Sequence, residues 1–198
     1  MPESSRRGPG SEATREKLNA AAAELIGELG WGRVTTRAVA ERAGVPHGAV
    51  SYHFRGKQEL LTEACLAAFG NAVPFEEFAS LGGIDDLIDF IAVELEQGLA
   101  DNTVLTRLMF EAMREAERDD RLRERLQAMM ADYRQAVVTL VQADQARGVL
   151  SPAFSAEGVA IMLAAVGDGL LLHALLDPGL DIRGGLTALR TVLTASQG

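Results

Sequence analysis

Between Thr36 and Phe54 the chain reads TRAVAERAGVPHGAVSYHF, and the spacing of its small and branched residues leaves few ways to fold. Ala40 precedes Gly44 by four residues, and Val50 follows that glycine by six. A small side chain at Ala40 lets a second helix cross close over the first. Gly44 can take the positive φ that ends a helix and turns the chain, a conformation costly for other residues. Val50 then faces back into the crease, with Val39, Ala43, Val45 and Phe54 beside it. The pattern predicts two short helices joined by a four-residue turn, a helix-turn-helix.

The flanking segments read as helices too. Leu18, Ala22, Leu25 and Leu29 form one apolar stripe over residues 11–29, with Ala21 and Ile26 alongside, and Gly30 stops it. Trp31 reads as a plug holding that helix against the turn. Thr35 suits the N-cap of the next helix, although Ala38 at the third position leaves a capping box incomplete. A further helix spans about 57–70, striped by Leu60, Leu61, Ala64 and Ala68, and Pro74 marks a break beyond it. Five longer helices follow at about 83–99, 103–118, 120–147, 155–176 and 181–196. Gly148 ends the longest, and Ser155 caps its successor with Gly158 as an imperfect partner. No stretch alternates as a strand does. The fold class is all-α: residues 1–10 a disordered tail, 11–56 a three-helix head, 57–72 a linking helix and 73–198 a helical-bundle body.

Charge is distributed unevenly. The net charge is −9, yet residues 1–57 hold nine basic against six acidic side chains, and the remainder ten against twenty-two. An acidic body keeps most of the surface off nucleic acid, while a mildly basic head can approach phosphates. One cysteine, Cys65, excludes an internal disulfide and reads as a small buried hydrophobe. No apolar run reaches the ~18–20 residues of a membrane span, and no apolar stretch follows Arg6 and Arg7 as a secretory signal would require. The expectation is a soluble cytoplasmic protein with no membrane association. Arg6 and Arg7 are either a solvated tail or a pair able to track a minor groove.

On a helix from His47 to Phe54, Val50 and Phe54 share the buried side. Gly48, Ala49 and Tyr52 project oppositely, flanked by Ser51 and His53. A helix presenting such a face can enter a DNA major groove. Tyr52 can stack or donate its hydroxyl to a phosphate, His53 can donate at the groove edge, and Ser51 can bond a base or a phosphate. Ala49 can touch a thymine methyl, and Gly48 permits close backbone approach. Thr35, Thr36 and Lys57 stand at helix starts, where amides and side chains converge on phosphate, and Arg37 and Arg42 are further candidates. Thr35 serves equally as a plain cap. His47 and His53 are six residues apart, on different sides of a helix, and form no metal pair.

The order of these motifs resembles the TetR-type (tetracycline-repressor-like) bacterial transcriptional regulators. The residues that carry the likeness are AAAELIGELGW at 21–31 and VTTRAVAERAGVPHGAVSYHFRGKQELL at 34–61, with GDGLLLHALLDP near the C-terminus a weaker match. The resemblance implies a ligand-responsive regulator, most simply a repressor. It would bind a pseudo-palindromic double-stranded DNA operator as a homodimer, with two heads below a ligand-binding and dimerisation body. It implies DNA contacts at Thr35, Thr36, Arg37, His47, Gly48, Ala49, Ser51, Tyr52, His53 and Lys57, and no cofactor. Three positions depart from the family pattern: Ala49 replaces a frequent hydroxyl residue, Ser51 a frequent tyrosine, and Pro46 a frequent capping serine. Such changes bear on which operator is read.

In the body, residues 155–176 are apolar on several sides, as in a helix fully buried or shared with another chain. Ala160, Leu163, Gly167, Leu170 and Ala174 make one stripe, while Ile161, Val166, Leu172 and Leu176 lie elsewhere around the circumference. The first stripe, with His173 and with Leu186, Leu189 and Leu193 of the last helix, reads as a self-complementary dimer interface. Plain intramolecular core is the other use for it. Phe90, Met109, Phe110, Met113, Met129, Tyr133 and Met162 suit a pocket for a small, largely apolar effector, or ordinary core. Arg107, Glu111 and Arg114 are possible polar anchors there. No Gly-rich phosphate loop, metal-ligand cluster or G-x-S-x-G elbow argues for an enzyme, and pairs such as Glu76–Glu77 and Asp85–Asp86 read as solvated helix starts. The remaining alternative is a helical protein–protein interaction module without operator binding.

Overall fold

The computed structural model describes residues 9–72, 78, 80–101 and 103–194. All of its regular structure is helical. Helices α1 (Pro9–Leu29), α2 (Thr36–Arg42), α3 (Gly48–His53) and α4 (Lys57–Ala72) are followed by α5 (Ile84–Asp101) and α6 (Thr103–Ala116). Then come α7 (Asp120–Ala146), α8 (Ala156–Leu176) and α9 (Ile182–Thr194). A 3-10 turn, Trp31–Arg33, lies between α1 and α2 and has no counterpart in the sequence reading. Pro9 and Gly10, assigned to the tail from sequence, begin α1; proline tolerates a first turn because its missing N–H has no helical partner there. The rest of that tail with Arg6 and Arg7, the break at Pro74 and the Glu76–Glu77 pair lie outside the described residues.

Packing divides the chain into two compact units, and the division cuts across sequence order. One unit is Met1–Val73 with Thr103–Leu126; the other is Pro74–Asn102 with Gln127–Gly198. In the first, α1 lies against α4 and α6. Its core gathers Leu18, Ala22, Ile26, Trp31, Val39, Val50, Phe54, Leu60 and Leu61 with Leu108, Ala112 and Leu122. Helix α6 crosses α1 so closely that a Cβ on Gly27 would sit 2.7 Å from Val104 Cγ1 and 2.8 Å from its carbonyl oxygen. Cys65 is buried in α4, and burial pushes its thiol up to about 12.

In the second unit α5 packs on α8 and α9. Asp144, buried on α7, accepts the Ile84 N–H at 2.8 Å and thereby caps α5 from a distance of sixty residues. Arg147 pairs with the same carboxylate. Ser155 caps α8 as expected, accepting the Gly158 N–H at 3.1 Å. Helix α8 corrects the expectation that nothing in the chain is long and apolar enough for a membrane. Within its 21 residues an 18-residue window reaches a mean hydropathy of 2.1, and only 22% of that window is buried within the chain. Glu157 and Asp168 interrupt its apolar character without breaking the helix.

Candidate nucleic-acid interface

The helix-turn-helix forms as its spacing requires. Ala43 and Gly44 close α2 with bonds to Val39 O and Glu41 O, and Gly44 takes φ 66°. Val45 N–H then returns to Ala40 O at 3.0 Å, which seats the turn on the small side chain. Val39, Ala40, Val50 and Phe54 are all buried beneath it. Thr35 is the N-cap of α2: in extended conformation, its Oγ1 accepts the Ala38 N–H at 3.2 Å. No side chain caps α3, whose preceding residue His47 is itself helical in φ and ψ. His47 Nε2 lies instead 3.3 Å from Thr36 Oγ1, joining the starts of α2 and α3.

This arrangement leaves one face bare. Tyr52 is 72% exposed on α3, with Gly48 and Ser51 exposed and Ala49 half-buried on the same short helix. Thr35, Arg37 and His47 are exposed, and Thr36 is half-buried. Lys57, at the start of α4, donates to Gly32 O at 3.0 Å, an anchor that leaves its remaining N–H groups available. Two candidates are corrected. His53 is only 8% exposed, edge-on to Tyr52 with ring centroids 5.0 Å apart, so its ring supports the tyrosine from below. Arg42 is held by Glu28 through two bonds of 2.8 and 3.0 Å and by Glu24 at 3.0 Å. It clamps α2 to α1, and its hydrogen bond with charge attraction holds the Glu28 carboxyl below the ordinary range. Opposite, Arg15 lies over the Phe54 ring and pairs with Glu63, which also receives Arg125.

Two family models match the chain. Residues 18–64 match "Bacterial regulatory proteins, tetR family", and residues 88–196 match "BetI-type transcriptional repressor, C-terminal". The chain belongs to the TetR family. It is accordingly a DNA-binding transcriptional regulator. No curated protein matches it. Among solved structures, a proposed transcriptional regulator of Streptomyces coelicolor A3(2) is 28% identical, with a TM-score of 0.70 over 92% of this chain and 99% of that one. NalD, the secondary repressor of the MexAB-OprM multidrug efflux pump in Pseudomonas aeruginosa, is 26% identical, with a TM-score of 0.71 over 94% and 99%. SmeT, solved with triclosan, shares the fold at 23% identity and a TM-score of 0.74 over 94% of each chain.

Within this TetR-family chain the expected effector residues fall into both compact units. Phe90 and Tyr133 flank the buried Phe78, with centroids 5.6 and 5.8 Å from it in edge-on contact. Burial, with the Asp168 charge second, lifts the Tyr133 hydroxyl to about 12. Met129 is half-buried and Met162 exposed in the same unit. Met109, Phe110 and Met113 belong to α6 in the other unit, and Phe110 and Met113 face solvent.

The expected dimer stripe is corrected more sharply. Leu163, Ala174, Leu186 and Leu193 are buried inside the protomer, and Gly167, Leu170 and Leu189 are half-buried. Leu170 packs on Gly185 of α9, where a Cβ would meet its Cδ2 at 3.3 Å. Of the named set only His173 is exposed. The outward stripe is Ile161, Ala165, Asp168, Leu172 and Leu176, with Val192 exposed on α9. A helix apolar all round reveals its stripes by periodicity but not which one faces inward. Glu111, named from sequence as a polar anchor for the effector, has a contact that sequence missed: its Oε2 accepts the Trp31 amide at 2.8 Å across eighty residues. Nothing local to either residue signals that contact.

Proposed function

We propose that the chain is a ligand-responsive repressor that binds a pseudo-palindromic operator as a homodimer and leaves it when a largely apolar small molecule binds the body. In this reading residues 11–56 read DNA, 57–72 link, and residues 73–198 receive the effector and the second chain. The observation that carries it is Tyr52, a large aromatic turned to solvent on a helix seated by buried Val50, with Thr35, Arg37 and Ser51 also exposed and Thr36 and Lys57 half-buried in the same head. Phosphate contacts from those residues would fix register, and Ser51, Ala49 and Gly48 would meet base edges.

Dimerisation is supported by α8. Most of a helix of this hydropathy is left uncovered by its own chain, and burying Ile161, Leu172 and Leu176 against a second copy removes that surface from water. Two heads would then read half-sites roughly 34–36 Å apart. The effector would be received among Phe90, Met129, Tyr133 and Met162, and would weaken binding by favouring the arrangement that fits DNA less well. NalD's role as a repressor and SmeT's binding of triclosan are in keeping with such a mechanism.

The test uses a duplex enriched by the wild-type chain from a random-sequence pool. Tyr52→Ala is expected to weaken its binding about tenfold with an unchanged melting temperature. Leu172→Arg is expected to sediment as a monomer and to lose the shifted complex. Tyr52→Ala binding as tightly as wild type overturns the assignment of this face.

A further inference from the structure

The Trp31 N–H is the first amide beyond Gly30, where α1 stops, and no backbone carbonyl of the turn receives it. Its acceptor is Glu111 Oε2 on α6, at 2.8 Å. Arg114 donates to the same oxygen at 2.7 Å and so fixes the carboxylate's orientation. Gly30 makes room for it: at φ 83°, a Cβ there would lie 3.3 Å from that oxygen. Partial burial draws the Glu111 carboxyl upward, but the Trp31 amide and Arg114 outweigh it, so the group ionises below the ordinary range.

The turn held this way leads straight to the candidate DNA contacts. After Trp31 come Gly32, Arg33, the buried Val34, and then Thr35 and Thr36. The Trp31 ring is buried, and its Nε1–H donates to Gln58 Oε1 at 3.1 Å in the first turn of α4. Gln58 in turn reaches Glu115 of α6 at 3.4 Å. Lys57 ties Gly32 to the same helix start. Near its other end α6 meets α1 in close contact at Gly27 and Val104.

We propose that Glu111 is a positioning residue for operator binding: its carboxylate holds the Trp31 amide and thereby sets where the Thr35–Thr36 helix start stands. The role rests on the reading of the head as a DNA reader. Glu111 touches no DNA in this account and acts through the backbone of the turn. Through this bond, alongside the Gln58–Glu115 contact, the position of α6 bears on where the threonines stand.

Trp31 is the single tryptophan of the chain, so its emission reports on the contact directly. Wild type, Glu111→Gln and Glu111→Ala are compared for affinity to the duplex enriched by the wild-type chain, for Trp31 emission and for melting temperature. Glu111→Gln keeps an oxygen acceptor and is expected to bind within about threefold of wild type. Glu111→Ala is expected to lose about tenfold, with Trp31 emission shifted to the red well below its melting temperature. Should Glu111→Ala not fold, Glu111→Asp, one methylene shorter, takes its place with the same expected loss. Equal binding by wild type and the shortened variant overturns this role alone, as does a Gln variant that falls as far as the Ala variant. A wild-type chain that enriches no duplex overturns the DNA reading and this role with it.

Discussion

Glycine serves opposite ends in the head and in α8. Gly27 and Gly30 in α1 and its turn are hemmed in by Val104 and by the Glu111 carboxylate, and Gly44 carries a backbone conformation that side chains resist. Gly167 and Gly169 in α8 have nothing within 4 Å of where a Cβ would stand. The head is thus built from positions at which one residue type fits, and its geometry follows from them. Helix α8 is built from interchangeable apolar residues, so its orientation comes from what it packs against. The lesson is that rigid steric requirements specify a local structure, whereas apolarity alone specifies only that some partner must be found.

Three perturbations break or sharpen that contrast. The largest effect is expected in the body. Leu163→Ala removes a side chain that is 1% exposed and should cost about 3 kcal/mol in denaturant unfolding, from lost burial plus a cavity. Leu172→Ala, nine residues on and facing out, should cost the protomer under about 0.5 kcal/mol. Equal losses at the two positions, measured where the chain is dissociated to monomer, would mean that the inward and outward stripes of α8 are misassigned. Next, Gly44→Ala in the head should cost about 1 kcal/mol by thermal unfolding, since open space surrounds the position and the φ of 66° alone penalises it.

The smallest effect is a pH dependence. Glu111 ionises more readily in the folded chain than in the unfolded one, so its contribution is full above the ordinary carboxylate range and fades as pH falls through its folded pKa. The stability margin of wild type over Glu111→Gln should therefore shrink on acidification from pH 6 toward pH 3. A margin that grows on acidification would contradict the assigned contacts.

These contrasts also explain what could be read from the residues alone. Ala40, Gly44 and Val50 specify the helix-turn-helix because each answers a steric demand a few positions away, and Thr35 and Ser155 cap through equally local bonds. Helix limits for α5 to α9 fall within about two residues of those inferred from periodicity and stop signals. The sidedness of α8 was not legible, since an apolar run fits a core and an interface alike. Nor were the long-range polar contacts: Asp144 capping α5, Arg42 withdrawn into a carboxylate pair, and Glu111 reaching Trp31. Each depends on tertiary proximity that leaves no periodic trace. His53 illustrates a subtler limit, because a six-residue helix turns through too few positions to separate the rim from the floor.

The solitary thiol of Cys65 carries one practical consequence. Closed off within α4 and strongly disfavoured as a thiolate, it can meet an alkylating reagent only when that helix momentarily lets go of its neighbours. Labelling kinetics at one atom therefore clock the opening of α4, with no engineered probe and no competing sulfhydryl to confuse the signal.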